Sequence, residues 1–358
     1  MGMSSSLKLR SLQKQHEEVS RATEPRVPTA REMWAVTLTC FWFLSGLFID
    51  GWAHIHRPEL ESFFTPWHAV FYSGYAATAL TLLLIIWLAR KRQGGTFMES
   101  IPHGFGYALI GAAVFAIGGV GDMAWHELFG VEANIEALLS PTHLVLAVSM
   151  GLMLSTGLRV WCKTTPPIGV PNFLTQLPML LSGAMTLSLI WFMTNFSHFI
   201  IPRASSLPPE DPIVADMSQN IAITGYLFHI AVITGVILFI ARRARIATGG
   251  FTTIFTLSIL EMALMRDGLA FVPAGFATGV LADILARRLH PFELHRREVR
   301  MFAFIIPAAF FTAYFLTLSL TSGIWWTVHL WTGSIVMSGL TGLLVSFLVL
   351  PLKEWDEK

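Results

Sequence analysis

Two stretches of the sequence carry the same set of residues that could bind a metal ion. Each has an aspartate, a histidine four residues later, a short loop, and then Ser/Thr-Pro-x-His at the start of an apolar segment. The possible ligands are Asp50, His54 and His68 in the first copy and Asp122, His126 and His143 in the second. Carboxylate and imidazole groups are common ligands of copper, zinc and iron. The repeated pattern predicts one or two metal sites, each with one Asp and two His.

The spacing within each copy predicts that these groups converge. An Asp and a His four residues apart lie on one face of a helix, one turn apart. Thr65 and Ser140 suit the helix N-cap, and the prolines that follow them suit the first turn. This places His68 and His143 at the third helical residue, where a well-defined helix start fixes their direction. Two nitrogens and one carboxylate resemble a facial metal triad, and this donor set suits copper, zinc or iron.

An alternative without metal also fits these residues. Asp and His at a membrane interface are often capping or hydrogen-bonding residues, and a repeat is compatible with only one functional copy. The recurrence of the pattern favours metal ligands over capping residues.

Other acidic and histidine residues lie outside the two triads. Glu132, in the loop of the second copy, is expected to be solvated, and a lone histidine such as His229 is typical of a buried core residue. Residues that could complete or support the sites are His56, Glu127, His198, His229 and His329.

The composition indicates that these residues belong to a membrane protein. Of 358 residues, 54% are hydrophobic and 13% are charged, which is far more apolar than a soluble domain of this length. Crossing the hydrocarbon core takes about 20 apolar residues. Long uncharged stretches occur at 69–89, 173–197, 221–241 and 330–352, and shorter or interrupted ones at 33–49, 104–121, 144–158, 251–265, 268–282 and 301–328. We expect an all-α integral membrane protein with about ten transmembrane helices arranged as repeated helical hairpins.

The basic residues predict the orientation of the chain. Arg and Lys follow every even-numbered predicted helix, first at 90–92, and such clusters mark cytoplasmic loops. Both termini are then cytoplasmic in the plasma (inner) membrane, and the metal motifs face the periplasmic or extracellular side. The expected organisation is a polar, disordered cytoplasmic tail (1–32), a transmembrane domain (33–352) with metal-site hairpins at 33–92 and 101–163, and a cytoplasmic C-terminus (353–358).

Cysteine content and charge disfavour several classes of function. The only two cysteines are Cys40 and Cys162, so the sequence offers neither a disulfide framework nor a thiolate cluster. A formal net charge of +1 argues against nucleic-acid binding, and no glycine-rich phosphate-binding loop is present. The lipid bilayer is the expected surrounding. Abundant small residues permit close helix packing within one chain or in an oligomer.

The segment from Asp50 to His54 and Phe64-Thr-Pro-Trp-His68, followed by an apolar helix, resembles the copper-site segment of the C subunit of particulate methane and ammonia monooxygenases. The resemblance covers about 23 residues. It implies a membrane copper site with Asp50, His54 and His68 as ligands, and Asp122, His126 and His143 in a second site. The gap before the third ligand is one residue longer here, the motif is duplicated, and ten helices exceed the usual number in that family.

Several functions are compatible with these features. One is a copper oxidoreductase, monooxygenase-like in its site, that receives electrons from a partner subunit or another donor. Another is a metal-ion transporter or acquisition protein, in which charged residues of the later helices line a path: Glu261, Arg266, Asp267 and Asp283. A third is a b-type haem protein with His68, His143 or His229 as axial ligands. A fourth is a non-catalytic assembly or sensing subunit.

Overall fold

The computed structural model describes residues 26–57, 65–130, 132, 135–164, 172–201, 203–243, 245–289 and 296–349. Most of the predicted N-terminal tail and the whole predicted C-terminus lie outside these residues. Within them the chain is helical and no strand is formed. The helices are α1 (Ala30–His56), α2 (Pro66–Gln93), α3 (Gly106–Phe129), α4 (Glu136–Leu139), α5 (Pro141–Leu154), α6 (Thr156–Lys163), α7 (Phe173–Met193), α8 (Arg203–Ser206), α9 (Pro212–Arg243), α10 (Gly250–Met265), α11 (Val272–Leu289), α12 (Arg296–Thr321) and α13 (Val328–Val349).

Each of the ten predicted segments contains a helix, but fewer helices are long and apolar enough to cross a membrane. In the described part of the chain there are eight, or nine if the bent pair α5 and α6 counts as one span. The chain is therefore an all-α, multi-pass membrane protein. The seventh predicted span, α10, has 16 residues, short of the roughly 20 that a span requires. It ends just before Asp267, whose φ of 56° cannot continue a right-handed helix.

The bend of 43° between α5 and α6 has an identifiable cause. The Arg159 guanidinium donates to the carbonyl oxygen of Leu152 at 2.6 Å, which is one of the groups that a continuing helix would use internally. The Ser155 hydroxyl donates to the carbonyl of Gly151. Side chains that take over backbone carbonyls in this way kink a helix.

The helices pack mainly as antiparallel neighbours around a buried central helix. The main pairs are α1 with α2, α3 with α5, α10 with α11, and α12 with α13. Among the candidate spans α7 is the most buried, and it packs against α1, α5, α9 and α10. The two hairpins that carry the predicted metal motifs are therefore both anchored on α7.

Small residues bring the helices of each motif-bearing hairpin close together. A Cβ added at Gly74 of α2 would lie 2.5 Å from the Cα of Phe43 on α1, and one at Gly46 would lie 2.7 Å from the Cα of Phe71. In the other hairpin, a Cβ at Gly111 of α3 would lie 2.5 Å from the carbonyl oxygen of Ser149 on α5. Such contacts are typical of closely packed helices in membranes. They fix the end of α1 beside the start of α2, and the end of α3 beside the start of α5.

Candidate metal centre

The first predicted triad is assembled across the junction of α1 and α2. Asp50 and His54 are one turn apart near the end of α1, with His54 Nε2 3.8 Å from Asp50 Oδ2. His68 comes from the first turn of α2, and its Nδ1 lies 3.3 Å from Asp50 Oδ1. One ligand atom from each residue can be chosen so that all three lie within 4.8 Å of one another. The three side chains predicted from the sequence thus face a single point.

The second triad has the same construction at the junction of α3 and α5. His126 Nε2 lies 3.6 Å from Asp122 Oδ2, one turn earlier on α3. His143 Nε2 lies 3.2 Å from Asp122 Oδ1. These ligand atoms also lie within 4.8 Å of one another. Asp122 is more deeply buried than Asp50, with 1% of its surface exposed compared with 8%.

The predicted helix caps are confirmed in both copies. The Thr65 hydroxyl accepts from the backbone N–H of His68 at 3.1 Å, with Pro66 opening α2. The Ser140 hydroxyl accepts from the backbone N–H of His143 at 3.4 Å, with Pro141 opening α5. Each cap satisfies an N–H group that the helix itself leaves unpaired. The cap therefore fixes the position of the histidine that it binds.

One residue was missed at the sequence level because it was interpreted as a solvated loop residue. Glu132 is only partly exposed, and its Oε2 lies 3.1 Å from Nδ1 of His126, on the opposite side of the ring from the nitrogen that faces Asp122. The expectation for Glu132 is therefore wrong. The contact is a close ion pair without hydrogen-bond geometry, and a carboxylate held beside the second nitrogen of a ligand histidine favours one orientation of the ring. The signal available in the sequence was an acidic residue a few positions beyond His126.

The triads fit a metal ion by their donor atoms and by their unsatisfied oxygens. A metal bonded to N and O atoms at about 2.0–2.2 Å holds those atoms about 3.0–3.4 Å apart, and the closest pairs here are at 3.2 and 3.3 Å. Asp50 Oδ1 and Asp122 Oδ1 are both buried, and neither forms a hydrogen bond of acceptable geometry among the described residues. A buried carboxylate oxygen that lacks a donor is costly unless a cation binds it. The donor set suits a cation of the copper, zinc or iron type.

Both triads open into the same cavity, of about 1060 Å³. Its wall includes all six residues of the two triads as well as Glu132. Apolar side chains from α1, α2, α5, α7 and α10 line most of the rest, and Arg57, Asn195 and Arg266 contribute polar groups. A small molecule or water inside this cavity can therefore reach both triads.

Tyr72 connects the two hairpins inside this cavity. It lies one turn after His68 on α2, and its ring lies 6.3 Å from the imidazole of His68 with an angle of 21° between the planes. The same ring reaches α3, where a Cβ at Gly119 would lie 3.2 Å from its Cε1. Gly119 is one turn before Asp122 on α3. The i, i+4 spacing from His68 was the sequence signal that could have identified this residue.

The accessory residues predicted from the sequence do not join the triads. The His56 Nε2 lies 2.6 Å from Oδ2 of Asp267, and its Nδ1 lies 2.9 Å from the carbonyl oxygen of Trp52. Glu127 is exposed on α3, and His329 is exposed at the start of α13. The pairing with Asp267 makes His56 a link between α1 and the end of α10.

His198 and His229 contact each other away from the cavity wall, with ring centroids 4.7 Å apart. Both are buried. The backbone N–H of Ile200 donates to His198 Nδ1 at 3.1 Å, and both nitrogens of His229 have partners, the carbonyl oxygen of Gly225 and the hydroxyl of Thr194. Burial lowers the pKa of His198 well below its ordinary value. This pair packs against Trp191 as part of the core.

Comparison of the chain with protein-family models, with curated proteins and with solved structures gives no match.

Proposed function

We propose that this membrane protein binds two metal ions, one in each Asp-His-His triad, and that copper is the metal. The observation that carries the proposal is the convergence of six side chains as two triads on one cavity. Nitrogen and carboxylate ligands without thiolate suit copper in its +2 state, and zinc or iron are the alternatives. The short resemblance to the monooxygenase C subunit points to the same metal.

The basic residues support a location of both sites near the extracytoplasmic face of the plasma membrane. Arg90, Lys91 and Arg92 form the last turn of α2, and His68 lies in its first turn. At about 1.5 Å per residue, His68 and Arg90 are about 33 Å apart along the helix, close to the roughly 30 Å thickness of the hydrocarbon core. With the basic end in the cytoplasm, the triads lie at the opposite face and both termini are cytoplasmic.

An oxidoreductase is the activity that this arrangement favours. Three protein ligands leave coordination positions open, and open positions allow a metal to activate a further ligand. The shared cavity provides space for such a ligand beside both triads. A partner subunit or another electron donor would supply reductant. The two hairpins then place two equivalent sets of metal ligands on the wall of the same cavity.

Metal transport is less well supported than an oxidoreductase, because most of the charged residues proposed to line a transport path have structural partners. The Asp283 carboxylate accepts from the backbone N–H groups of Phe251 and Thr252 and so caps α10. Asp267 pairs with His56, and Arg266 donates to Asn195. Of the four charged residues considered for a transport path, only Glu261 has no hydrogen-bond partner among the described residues. A b-type haem is also disfavoured, because both nitrogens of His229 are engaged and each of His68 and His143 faces a carboxylate.

Metal analysis combined with EPR tests the proposal directly. The wild type would be compared with His54→Ala/His68→Ala, with His126→Ala/His143→Ala, and with the control His329→Ala, which changes an exposed histidine outside the cavity. After copper loading and removal of excess, we expect two equivalents in the wild type and the control, and one in each double variant. Loss of both metals from either double variant would indicate one shared dinuclear centre. Retention of two equivalents in both double variants would contradict the assignment of the ligands.

A further inference from the structure

A second group of interest lies outside the triads, on the helices α7 and α10. Glu261 of α10 is 6% exposed, and Ser188 of α7, whose hydroxyl faces the carboxyl group, is fully buried. Among the described residues, neither oxygen of Glu261 nor the hydroxyl of Ser188 has a hydrogen-bond partner of acceptable geometry. A buried polar group without partners costs free energy, and in a membrane protein such an ionisable residue is functional by default. A purely structural position would be filled better by an apolar side chain.

No cation is available to neutralise this carboxyl group within the described helices around it. The helices that pack most extensively against α10 are α1, α7 and α11, and α7 contains no ionisable residue. Helix α12 contacts the start of α10, where Phe302 lies against Phe251, at the opposite end of α10 from Arg266. In α11 the ionisable residues are Asp283, Arg287 and Arg288, of which Asp283 caps the opposite end of α10. In α1 they are Arg31 and Glu32 at its start, Cys40, and the cavity-side Asp50, His54 and His56. Arg266, just past the end of α10, donates to Asn195.

The position of Glu261 relates it to the cavity. Met265 lies one turn beyond Glu261 on α10, Phe192 lies one turn beyond Ser188 on α7, and both line the cavity. We call these two side chains the cavity floor. A Cβ at Gly51 of α1 would lie 2.6 Å from Cε2 of Phe192 and 3.0 Å from Sδ of Met265, so α1 packs directly onto this floor. Glu261 is therefore about 5 Å beneath it, by the pitch of a helix.

We propose that Glu261, with Ser188, is a proton-holding carboxyl site beneath the cavity floor, and that lipophilic carbodiimides modify it. An unpaired carboxylate in an apolar interior is strongly disfavoured, so the group keeps its proton at neutral pH. A single layer formed by Met265 and Phe192 separates the carboxyl group from the cavity. The ligand of this site is a proton. The inference does not depend on the metal, because neither Glu261 nor Ser188 belongs to a triad.

The modification is a simple addition. The carboxylic acid adds across one C=N bond of the carbodiimide, forming a C–O bond while its proton moves to nitrogen. The acyl group then shifts from oxygen to nitrogen and gives a stable N-acylurea. No group leaves, and neither an oxidant nor a reductant is consumed. The reaction requires a protonated carboxyl group in a place that a lipophilic reagent can enter.

The test uses full-length protein in lipid vesicles, freed of metal by a chelator, at neutral pH. Dicyclohexylcarbodiimide is added and the labelled residue is located by mass spectrometry of peptides. We expect the label at Glu261, its loss in Glu261→Gln, and no change in Asp267→Asn, which alters an exposed carboxylate. A water-soluble carbodiimide should instead label exposed carboxylates such as Asp267 and leave Glu261 unlabelled. The infrared C=O band of a protonated carboxyl group should be present at neutral pH in the unlabelled wild type and missing from Glu261→Gln.

Two results would overturn the inference. One is an unlabelled Glu261 in wild-type protein whose other sites react, and the other is an infrared spectrum in which Glu261→Gln removes a carboxylate band instead of a C=O band. The wild-type labelling position needs no variant, so a folding defect in Glu261→Gln does not remove the test. Because the protein is metal-free, this outcome is independent of metal binding by the triads.

Discussion

The contact between Glu132 and His126 leads to a quantitative prediction about the second site. Glu132 Oε2 lies 3.1 Å from His126 Nδ1, and their side chains are 11% and 8% exposed, so water screens the contact little. Removing the carboxylate that lies against a ligand histidine typically weakens metal binding by about 10- to 100-fold, or about 1.4–2.8 kcal/mol. Glu132→Gln should therefore weaken metal binding at the second site by about 10- to 100-fold.

Chelator competition measures this effect when the first site is disabled by Asp50→Ala/His54→Ala. The Kd for copper would be determined in this background for the parent, for Glu132→Gln and for Glu127→Gln. Glu127 is the matched control, because it is a carboxylate next to His126 in sequence but exposed on α3. A loss well above 100-fold would mean that Glu132 binds the metal itself.

An unchanged Kd in Glu132→Gln, or equal losses in Glu132→Gln and Glu127→Gln, would refute the reasoning. A further control is the background in which His126→Ala/His143→Ala disables the second site. There Glu132→Gln should leave the Kd of the first site unchanged. A change in that background would mean that Glu132 acts through the whole cavity and not through His126.

Other substitutions test the scaffold. Gly74→Ala should destabilise the protein by about 1–3 kcal/mol, because the new methyl group overlaps the backbone of α1, whereas Gly333→Ala, with open space around it, should not lower the thermal unfolding temperature. Thr65→Ala removes the cap of α2 and should destabilise the start of this helix by about 1 kcal/mol. Because the cap positions His68, copper should bind the first site several-fold more weakly, as measured by chelator competition. Asp283→Ala should lower the unfolding temperature through loss of the α10 cap while metal content stays at two equivalents, and metal loss at unchanged stability would instead support a transport path. In the wild type, a chelator should remove copper in two phases, a fast one from the exposed first site and a slow one from the buried second site. The variant His126→Ala/His143→Ala, which lacks the second site, should show only the fast phase.

The sequence predicted those parts of the fold and site that depend on local spacing. Apolar stretches marked every long helix of the bundle, and the i, i+4 pairs and Ser/Thr-Pro caps predicted the two triads. The number of spans was less predictable, because hydropathy alone does not report where a backbone stops. The positive φ at Asp267 follows the end of α10, and the carbonyl taken by Arg159 bends the pair α5 and α6. Neither feature follows from hydropathy.

The features that the sequence did not predict depend on packing between the hairpins. Nothing in the spacing of either motif states that the two triads face one cavity, since this follows from how α1 and α2 pack with α3, α5 and α7. Phe115 of α3 packs against both Phe43 and Phe71 at centroid distances of 5.0 and 5.7 Å. Glu132 was misjudged for the same reason, because an acidic residue in a polar loop gives no sign of a histidine folded against it.

The two triads differ in exposure although their residue types are the same, and this difference has a consequence for their roles. The side chains of Asp50 and His54 are 11% and 38% exposed, whereas those of Asp122 and His126 are 2% and 8% exposed. Burial and the contact with Glu132 both favour retention of a metal in the second site, since each restricts ligand motion and water entry. The open first site is the one that an incoming ligand or a metal donor reaches more easily. Both triads line one cavity. If each binds a metal as proposed, a ligand that enters at the first site would reach the second through that cavity, which two separate pockets would not allow.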